Sequence, residues 1–436
     1  MAAKLPDLGD TCGWFNVLEP PSPSRRIEGR QKADWVVVGA GVTGLAAARR
    51  LAEHKPGARI LLLDATRIGN GNSGRNSGFA LHCWFMGATG YSNDLTVLHR
   101  EARLNGAGAE TLRRQVRENQ IECHWHDFGM LWAAAGPAGE GGVADRQKGF
   151  GLLEQDCEML DGKAMQRLTG SSFYTMGVRA KGTALVNPAA MCRGLARTLP
   201  ANVTGYDQTP VTGLRRGRPH VLSVAGGEIE TENLILCTNT FSPGLGFARF
   251  RMAPVSNYAS LTRVLSDDEL KEVGGEGPWG LLPGVTGGST VRRTSDNRIM
   301  IRHGARFVPQ WRFTQEHFDW ARTKHYQSIA KRWPALKDVA IEHTWGGVLG
   351  TTRNRGHIFG RLDDNIWGSI ACNGANVAKG TAAGGLLADH IVGATSPLLN
   401  DMHSQPKPAW LPPDFILGYF VNKRRHIMAQ NGADEA

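Results

Sequence analysis

Trp35-Val36-Val37-Val38-Gly39-Ala40-Gly41-Val42-Thr43-Gly44 decides the fold. An apolar run enters a glycine-rich turn, Leu45-Ala46-Ala47-Ala48 leaves it with helical composition, and Ile60-Leu61-Leu62-Leu63-Asp64 comes next as a second strand ending in a carboxylate. This order is that of a dinucleotide-binding unit. Gly39 permits the tight turn, Gly41 lets backbone amides approach a pyrophosphate, and Gly44 lets the helix pack close on the strand. Ala40, Val42 and Thr43 add their amides at the helix N-terminus, where free N–H groups and the helix dipole favour an anion. Asp64 stands about twenty residues past the last glycine, the spacing of a partner for ribose hydroxyls.

The stretch after Asp64 separates one dinucleotide from another. A nicotinamide-binding chain usually continues into another helix, whereas here Ala65 leads to Arg67-Ile68-Gly69-Asn70-Gly71-Asn72-Ser73-Gly74-Arg75-Asn76-Ser77-Gly78-Phe79. Such a loop offers many amides and a guanidinium to a diphosphate, and lets the main chain lie against a flat ring. It suits a buried flavin better than an exchanging nicotinamide. A flexible linker is not expected directly on the second strand of a nucleotide fold.

The stretch from Gly71 to Gly78 resembles the Ala-Ser-Gly-Arg-Asn-Gly-Gly signature of FAD-dependent amine oxidoreductases of the gamma-glutamylputrescine oxidoreductase type, in the D-amino-acid oxidase, glycine oxidase and sarcosine oxidase superfamily. The likeness extends through Cys12-Gly13-Trp14-Phe15, Ile121-Glu122-Cys123-His124-Trp125 with Gly129-Met130-Leu131, Trp345-Gly346-Gly347-Val348, and Ala371-Cys372-Asn373-Gly374-Ala375-Asn376-Val377-Ala378. It implies an α/β fold, with a Rossmann-like FAD-binding domain and a discontinuous mixed-sheet α+β substrate domain. Residues 1–110, 180–250 and 345–395 are expected in the first, 111–179 and 251–344 in the second, and 396–436 in a C-terminal tail. The implied FAD contacts are the turn from Gly39 to Gly44, Asp64, Ala65, Arg67, the loop residues Asn72, Ser73, Gly74, Arg75, Asn76, Ser77 and Gly78, then Val211 and Thr238. The closing turn adds Asn373, Gly374, Ala375, Asn376 and Val377, and Trp345 and Gly346 are the implied substrate contacts.

By the same resemblance, the reaction removes a hydride from the carbon beside an amine nitrogen. It gives reduced FAD and an imine that water hydrolyses, with oxygen or a quinone taking the electrons. The protein has to present a neutral amine and exclude water. His82, just past the loop, is the candidate for orienting that amine or lowering its protonated fraction. Sarcosine oxidases tether their flavin through a cysteine in the segment matching Gly347-Val348-Leu349, and none is present here, so FAD is expected to be noncovalent. Their substrate-carboxylate lysine aligns with Ala378, with Lys379 one residue out of register. That favours an amine without a carboxylate beside the reacting carbon. The alternatives are an oxidase of an N-substituted or cyclic amino acid, and a flavin-dependent RNA-modifying protein.

Composition agrees with a large soluble enzyme: 436 residues, 41% hydrophobic and 21% charged, allow two domains and a substantial core. No apolar run approaches the roughly 18 residues of a membrane span, and the N-terminus lacks the plan of a secretion signal. Seven cysteines without a Cys-x-x-Cys pair read as reduced thiols of a cytoplasmic protein. The net charge of +10 is spread along the chain, and no RNA-binding motif accompanies it, so a nucleic-acid partner is not expected.

Along the chain, a helix is expected over Leu98–Asn119, strands over Ile121–Ala135, a helix from Asn187-Pro188, a hairpin around Gly226-Gly227 and a strand over Leu234–Cys237. His124 and His126 would share a strand face, but no third ligand is identifiable and no metal site is expected. Gly274 to Gly288 reads as a surface loop. Ile366 to Ala371 reads as a strand and Val377 to Ile391 as a helix whose N-terminus would stabilise negative charge on a reduced flavin. No second fingerprint is present for a separate NAD domain.

Overall fold

The computed structural model describes residues 7–9, 11–85, 94–371, 373–374 and 377–436. One sheet runs in spatial order Ile358–Asp363, Ile366–Ile370, Gly227–Leu236, Gly29–Val38, Ile60–Leu63 and Val203–Tyr206, with Val211–Arg215 and His220–Val224 as an antiparallel extension of Gly227–Leu236. Its inner pairings are parallel, and Val36 faces both Leu61 and Leu234. Both faces of the parallel strands are covered, one by helices and the other by Val211, Leu222, Val224, Phe247 and Met252, which explains uninterrupted apolar runs in place of alternation. Ile60, Leu61, Leu62 and Leu63 are all 0% exposed, each side chain contributing roughly 1.5–3 kcal/mol of burial.

The helices Val42–His54 and Val377–Ile391 pack against each other on this sheet, with Leu95–Glu118 against the second of them. Their small residues are required by the distance of approach. A Cβ at Gly384 would lie 2.1 Å from the Thr43 carbonyl oxygen, and one at Gly108 only 1.8 Å from that of Ala378. Both helices start at the C-terminal ends of the parallel strands, where an open α/β sheet binds its ligands.

The second sheet has the order Ile341–Thr351, Ala253–Thr262, Ile299–Phe307, Thr290–Arg293, Trp279–Pro283, Met130–Ala134, Met176–Ala180 and Cys157–Asp161. It is antiparallel except between Trp279–Pro283 and Met130–Ala134. Ile341–Thr351 pairs along its length with Ala253–Thr262. Trp345 to Thr351, expected with the nucleotide-binding part, therefore hydrogen-bond into the second sheet.

Two other expectations fail locally. Ile121 to Phe128 is irregular, and His124 has φ +53°, so His124 and His126 share no strand face. Within Gly274 to Gly288, the expected surface loop, Trp279–Pro283 is a strand; Trp279 is 1% exposed and its Nε1 donates to the Val273 carbonyl at 3.1 Å. Burial of a large indole with a satisfied N–H outweighs the local glycine content. The C-terminal segment forms the helices Pro397–His403 and Asp414–Asn431, and the Glu435 carbonyl accepts from Ser289 N and Arg332 Nη2 at 2.8 Å each. Among the described residues, no helix is long and apolar enough to cross a membrane.

Candidate active site

A cavity of about 360 Å3 opens where the two sheets meet. Gly39, Ala40, Gly41, Val42 and Thr43 line one end together with Asp64 and Ala65. The turn is as tight as its glycines require: a Cβ at Gly44 would lie 1.8 Å from the Gly39 carbonyl oxygen, and one at Gly41 would lie 2.6 Å from Ser73 Oγ. Asp64 accepts from Ala40 N at 3.0 Å and from Thr66 N and Oγ1 at 2.8 and 2.9 Å. Burial pushes the Asp64 carboxyl up from its ordinary range, opposed by these hydrogen bonds. Its remaining lone-pair capacity suits hydroxyl donors.

The loop after Asp64 closes the cavity's middle through Asn72, Ser73, Gly74, Arg75, Asn76 and Ser77. Asn72–Arg75 is a helical turn, and its side chains tie the two sheets together. Asn72 Nδ2 donates to the Val348 carbonyl at 2.7 Å, and Asn72 Oδ1 accepts from Val348 N at 2.9 Å. Ser73 Oγ accepts from Val42 N at 3.1 Å, in the first turn of the nucleotide helix. Val211, Thr238, Gly374 and Val377 line the same cavity, while Ala375 and Asn376 lie outside the described residues.

Several expected contacts carry other hydrogen bonds or lie away from the cavity. Arg75, read as a diphosphate ligand, donates to the carbonyls of Asn70, Leu8 and Gly346 at 2.6, 2.9 and 3.2 Å, and to that of Gly9. It is 4% exposed and clamps the N-terminal arm to the loop, because buried carbonyls need donors as much as a phosphate does. Arg67 turns to the Pro21–Ser24 link and pairs with Asp207 at 3.4 Å. Gly78 lies against Arg292, whose Nη1 donates to the Ser77, Gly78 and Val186 carbonyls at 2.7 to 2.9 Å. Burial brings the Arg292 guanidinium down to about 9.

Trp345 and Gly346, the expected substrate contacts, do not border the cavity: the Trp345 indole is 0% exposed and donates to the Arg75 carbonyl at 3.0 Å, and Gly346 is packed under Phe313. Gly347 borders it instead of Gly346, since successive residues of a strand face opposite ways. Asn373 holds the closing turn, its Oδ1 accepting from Thr352 N at 2.7 Å. His82 is also absent from the wall. Its ring contacts Thr183 Oγ1 at 2.9 Å and Gln155 Oε1 at 3.1 Å and stacks on Phe150, and burial lowers its pKa. It is a satisfied packing residue.

Two further side chains on the wall lie outside the contacts that the resemblance implies. Lys379 is 7% exposed, and its Nζ lies 2.7 and 2.8 Å from the Glu101 carboxylate oxygens. His357 accepts or donates at Ser369 Oγ, 3.0 Å away, and burial followed by the Lys379 charge brings it down to about 3, so it is neutral.

Arg302 is the more consequential omission. It leads from this cavity into a second of about 1120 Å3, and Trp84, Asn257, Leu282, Leu349 and Gly374 likewise border both. Arg302 Nη2 donates to Thr290 Oγ1 at 2.8 Å, while its buried Nε has no hydrogen-bond partner. Among the described residues it forms no ion pair, and burial pushes its guanidinium pKa down. The available signal was a cation following the apolar run Ile299-Met300-Ile301 in a central strand.

The family described as DAO, FAD dependent oxidoreductase, matches residues 34–390. The gamma-glutamylputrescine oxidoreductase of Escherichia coli strain K12 is 27% identical over 393 residues, 83% of this chain and 84% of that protein. Among solved structures, glycine oxidase from Geobacillus kaustophilus superposes with a TM-score of 0.67 at 16% identity, covering 84% of this chain and 96% of that one. L-proline dehydrogenase from P. horikoshii gives 0.68 at 16% identity, covering 85% and 96%.

Proposed function

Because the chain belongs to the DAO family of FAD-dependent oxidoreductases, we propose that it oxidises the C–N bond of an amine that carries a carboxylate, such as an amino acid or an N-substituted amino acid. The observation behind this reading is Arg302: a partly buried guanidinium whose Nε is buried without a hydrogen-bond partner and which has no anionic partner among the described residues, bordering the cofactor cavity. An uncompensated charge is costly inside a protein, and a bound carboxylate relieves the cost with charge-assisted hydrogen bonds. Of the other cations on the wall, Lys379 already faces Glu101 and Arg75 is held by backbone carbonyls. The expectation of a carboxylate-free amine, which rested on the register of Lys379, is therefore replaced.

The residues at the glycine turn fit a dinucleotide. The space that a Cβ at Gly41 would fill, the first-turn amides and the buried Asp64 would hold the diphosphate and ribose of FAD. FAD, when bound, supplies a two-electron acceptor for the hydride. The helix Val377–Ile391 begins at the cavity wall, where its N-terminal dipole favours the negative charge that reduction brings. Arg302 would fix the substrate carboxylate, and its positive charge would lower the affinity of the nearby amine for a proton. A neutral amine that loses hydride becomes an iminium ion, which water converts to a carbonyl compound and an amine. No protein base is needed for that balance.

Anaerobic bleaching of the bound flavin tests the reading. An N-substituted amino acid should reduce it and the corresponding decarboxylated amine should not. Equal reduction by both would refute it.

A further inference from the structure

We infer that the substrate carries a second anionic group, carboxylate or phosphate, held in the outer cavity by a cationic wall of which Arg355 and Arg425 form the half-buried part. The inference rests on the reading of Arg302 as the anchor of the first carboxylate. The outer cavity is about 1120 Å3 against about 360 Å3 for the inner one, more room than one small amino acid needs. Lys324, Lys331, Arg353, Arg355, Arg424 and Arg425 line it, and among the described residues on its wall there is no Asp or Glu side chain. Six arginines elsewhere, Arg50, Arg103, Arg113, Arg179, Arg216 and Arg218, each meet a carboxylate within 2.8 Å. Five of the six wall cations form no ion pair among the described residues; the sixth, Lys331, has its Nζ 3.4 Å from an oxygen of the terminal residue Ala436, which also lines the wall.

Four elements distant in sequence supply this wall: Gln315–Arg332, the residues after Ile341–Thr351, and Asp414–Asn431 carry the six, and Ile299–Phe307 carries Arg302. A solvated charged face would come from one helix and carry both signs. Like charges repel here. Arg355 is pushed down by burial and then by the charge of Arg424, and Arg425 by burial and then by Arg306. Arg425 Nε is buried without a hydrogen-bond partner, and the Arg355 guanidinium reaches only the Asn373 carbonyl, at 3.4 Å. His303, on the same wall, is brought down to about 4 by burial and by Arg302, Arg332 and Lys324, so it adds no charge near neutral pH. A concave surface of one sign focuses its field on anions. A molecule with two anions at its ends would span from Arg302 to this wall.

The test uses the FAD-loaded enzyme without turnover. Propionate and malonate, valerate and glutarate, heptanoate and pimelate, and 3-phosphonopropionate are titrated, and the visible flavin band reports Kd. At least one dianion should bind about tenfold or more tightly than its monocarboxylate partner, with a gain that shrinks as NaCl is added. Arg355→Gln and Arg425→Gln should each reduce that gain while monocarboxylates still bind, and Lys324→Gln repeats the comparison at an exposed position. The phosphonate against malonate and glutarate identifies which anion is preferred. The inference falls if no dianion outbinds its partner, or if the gain survives both arginine substitutions. If monocarboxylates do not perturb the flavin, or Arg302→Met leaves their Kd unchanged, the Arg302 reading falls instead.

Discussion

Replacing Arg302 by Met separates a binding role from a structural one, because the two predict opposite signs for stability. Arg302 is partly buried, has one donor on Thr290 Oγ1 and keeps a buried Nε without a partner. Two charge-assisted hydrogen bonds to a substrate carboxylate, at about 1.5–3 kcal/mol each, amount to about 3–6 kcal/mol. Their loss should lower kcat/KM by a factor of about 10² to 10⁴. The folded protein, in contrast, loses an uncompensated buried charge and gains an apolar side chain of similar length, so its melting temperature should hold or rise. Stopped-flow reduction of the flavin under anaerobic conditions gives the kinetic term, and a thermal melt at matched FAD occupancy gives the other. A loss below about tenfold, or an equal loss for a carboxylate-free amine, would refute the assignment. So would a melting temperature that falls with activity, since that is the behaviour of a packing residue.

Further outcomes are expected from other parts of the molecule. Glu101→Gln should cost about 3–5 kcal/mol in urea unfolding, because it leaves the Lys379 ammonium buried without the carboxylate at 2.7 Å, and Lys379→Met added to it should recover most of the loss. Gly384→Ala should destabilise, its Cβ being driven to 2.1 Å from the Thr43 carbonyl, whereas Gly385→Ala, with nothing within 4 Å, should stabilise by up to about 1 kcal/mol; equal effects in thermal melts would refute the close helix contact. His303, His325 and His357 are held neutral, with pKa values brought from 6.5 down to about 4, 3 and 3 mainly by burial. Their contribution is fully present above pH 6.5 and is lost as pH falls towards those values, by about 1.4 kcal/mol per histidine per pH unit. Unfolding free energies measured from pH 7 to 4.5 should therefore fall, and His357→Gln should flatten the slope.

Much of the nucleotide-binding part was legible because its signals are local. Gly39 answers to a φ of +100°, Gly41 and Gly44 to steric contacts with the adjoining loop and within the turn, the runs Val36–Val38 and Ile60–Leu63 to a sheet covered on both faces, and the Asn187 cap to amides two and three residues on, at 3.1 Å each. The second sheet was less legible. Its strand Trp279–Pro283 is short and glycine-flanked, and is held on one side by Thr290–Arg293 and on the other by the parallel partner Met130–Ala134 from far earlier in the chain.

Side-chain roles divided the same way. From sequence, Arg75 is a cation in a glycine- and Asn-rich loop, Arg302 a cation after an apolar run, and His82 a histidine beside that loop. Tertiary structure surrounds Arg75 with the carbonyls of Leu8, Asn70 and Gly346 and seats His82 between Thr183 and Gln155, yet gives Arg302 one hydroxyl and two cavities. Backbone conformation depends on neighbours a few residues away, so the glycine turn and the parallel strands could be read directly. Whether a buried charge is satisfied depends on acceptors brought in by elements hundreds of residues apart, and only the assembled fold decided which arginine was left for a ligand.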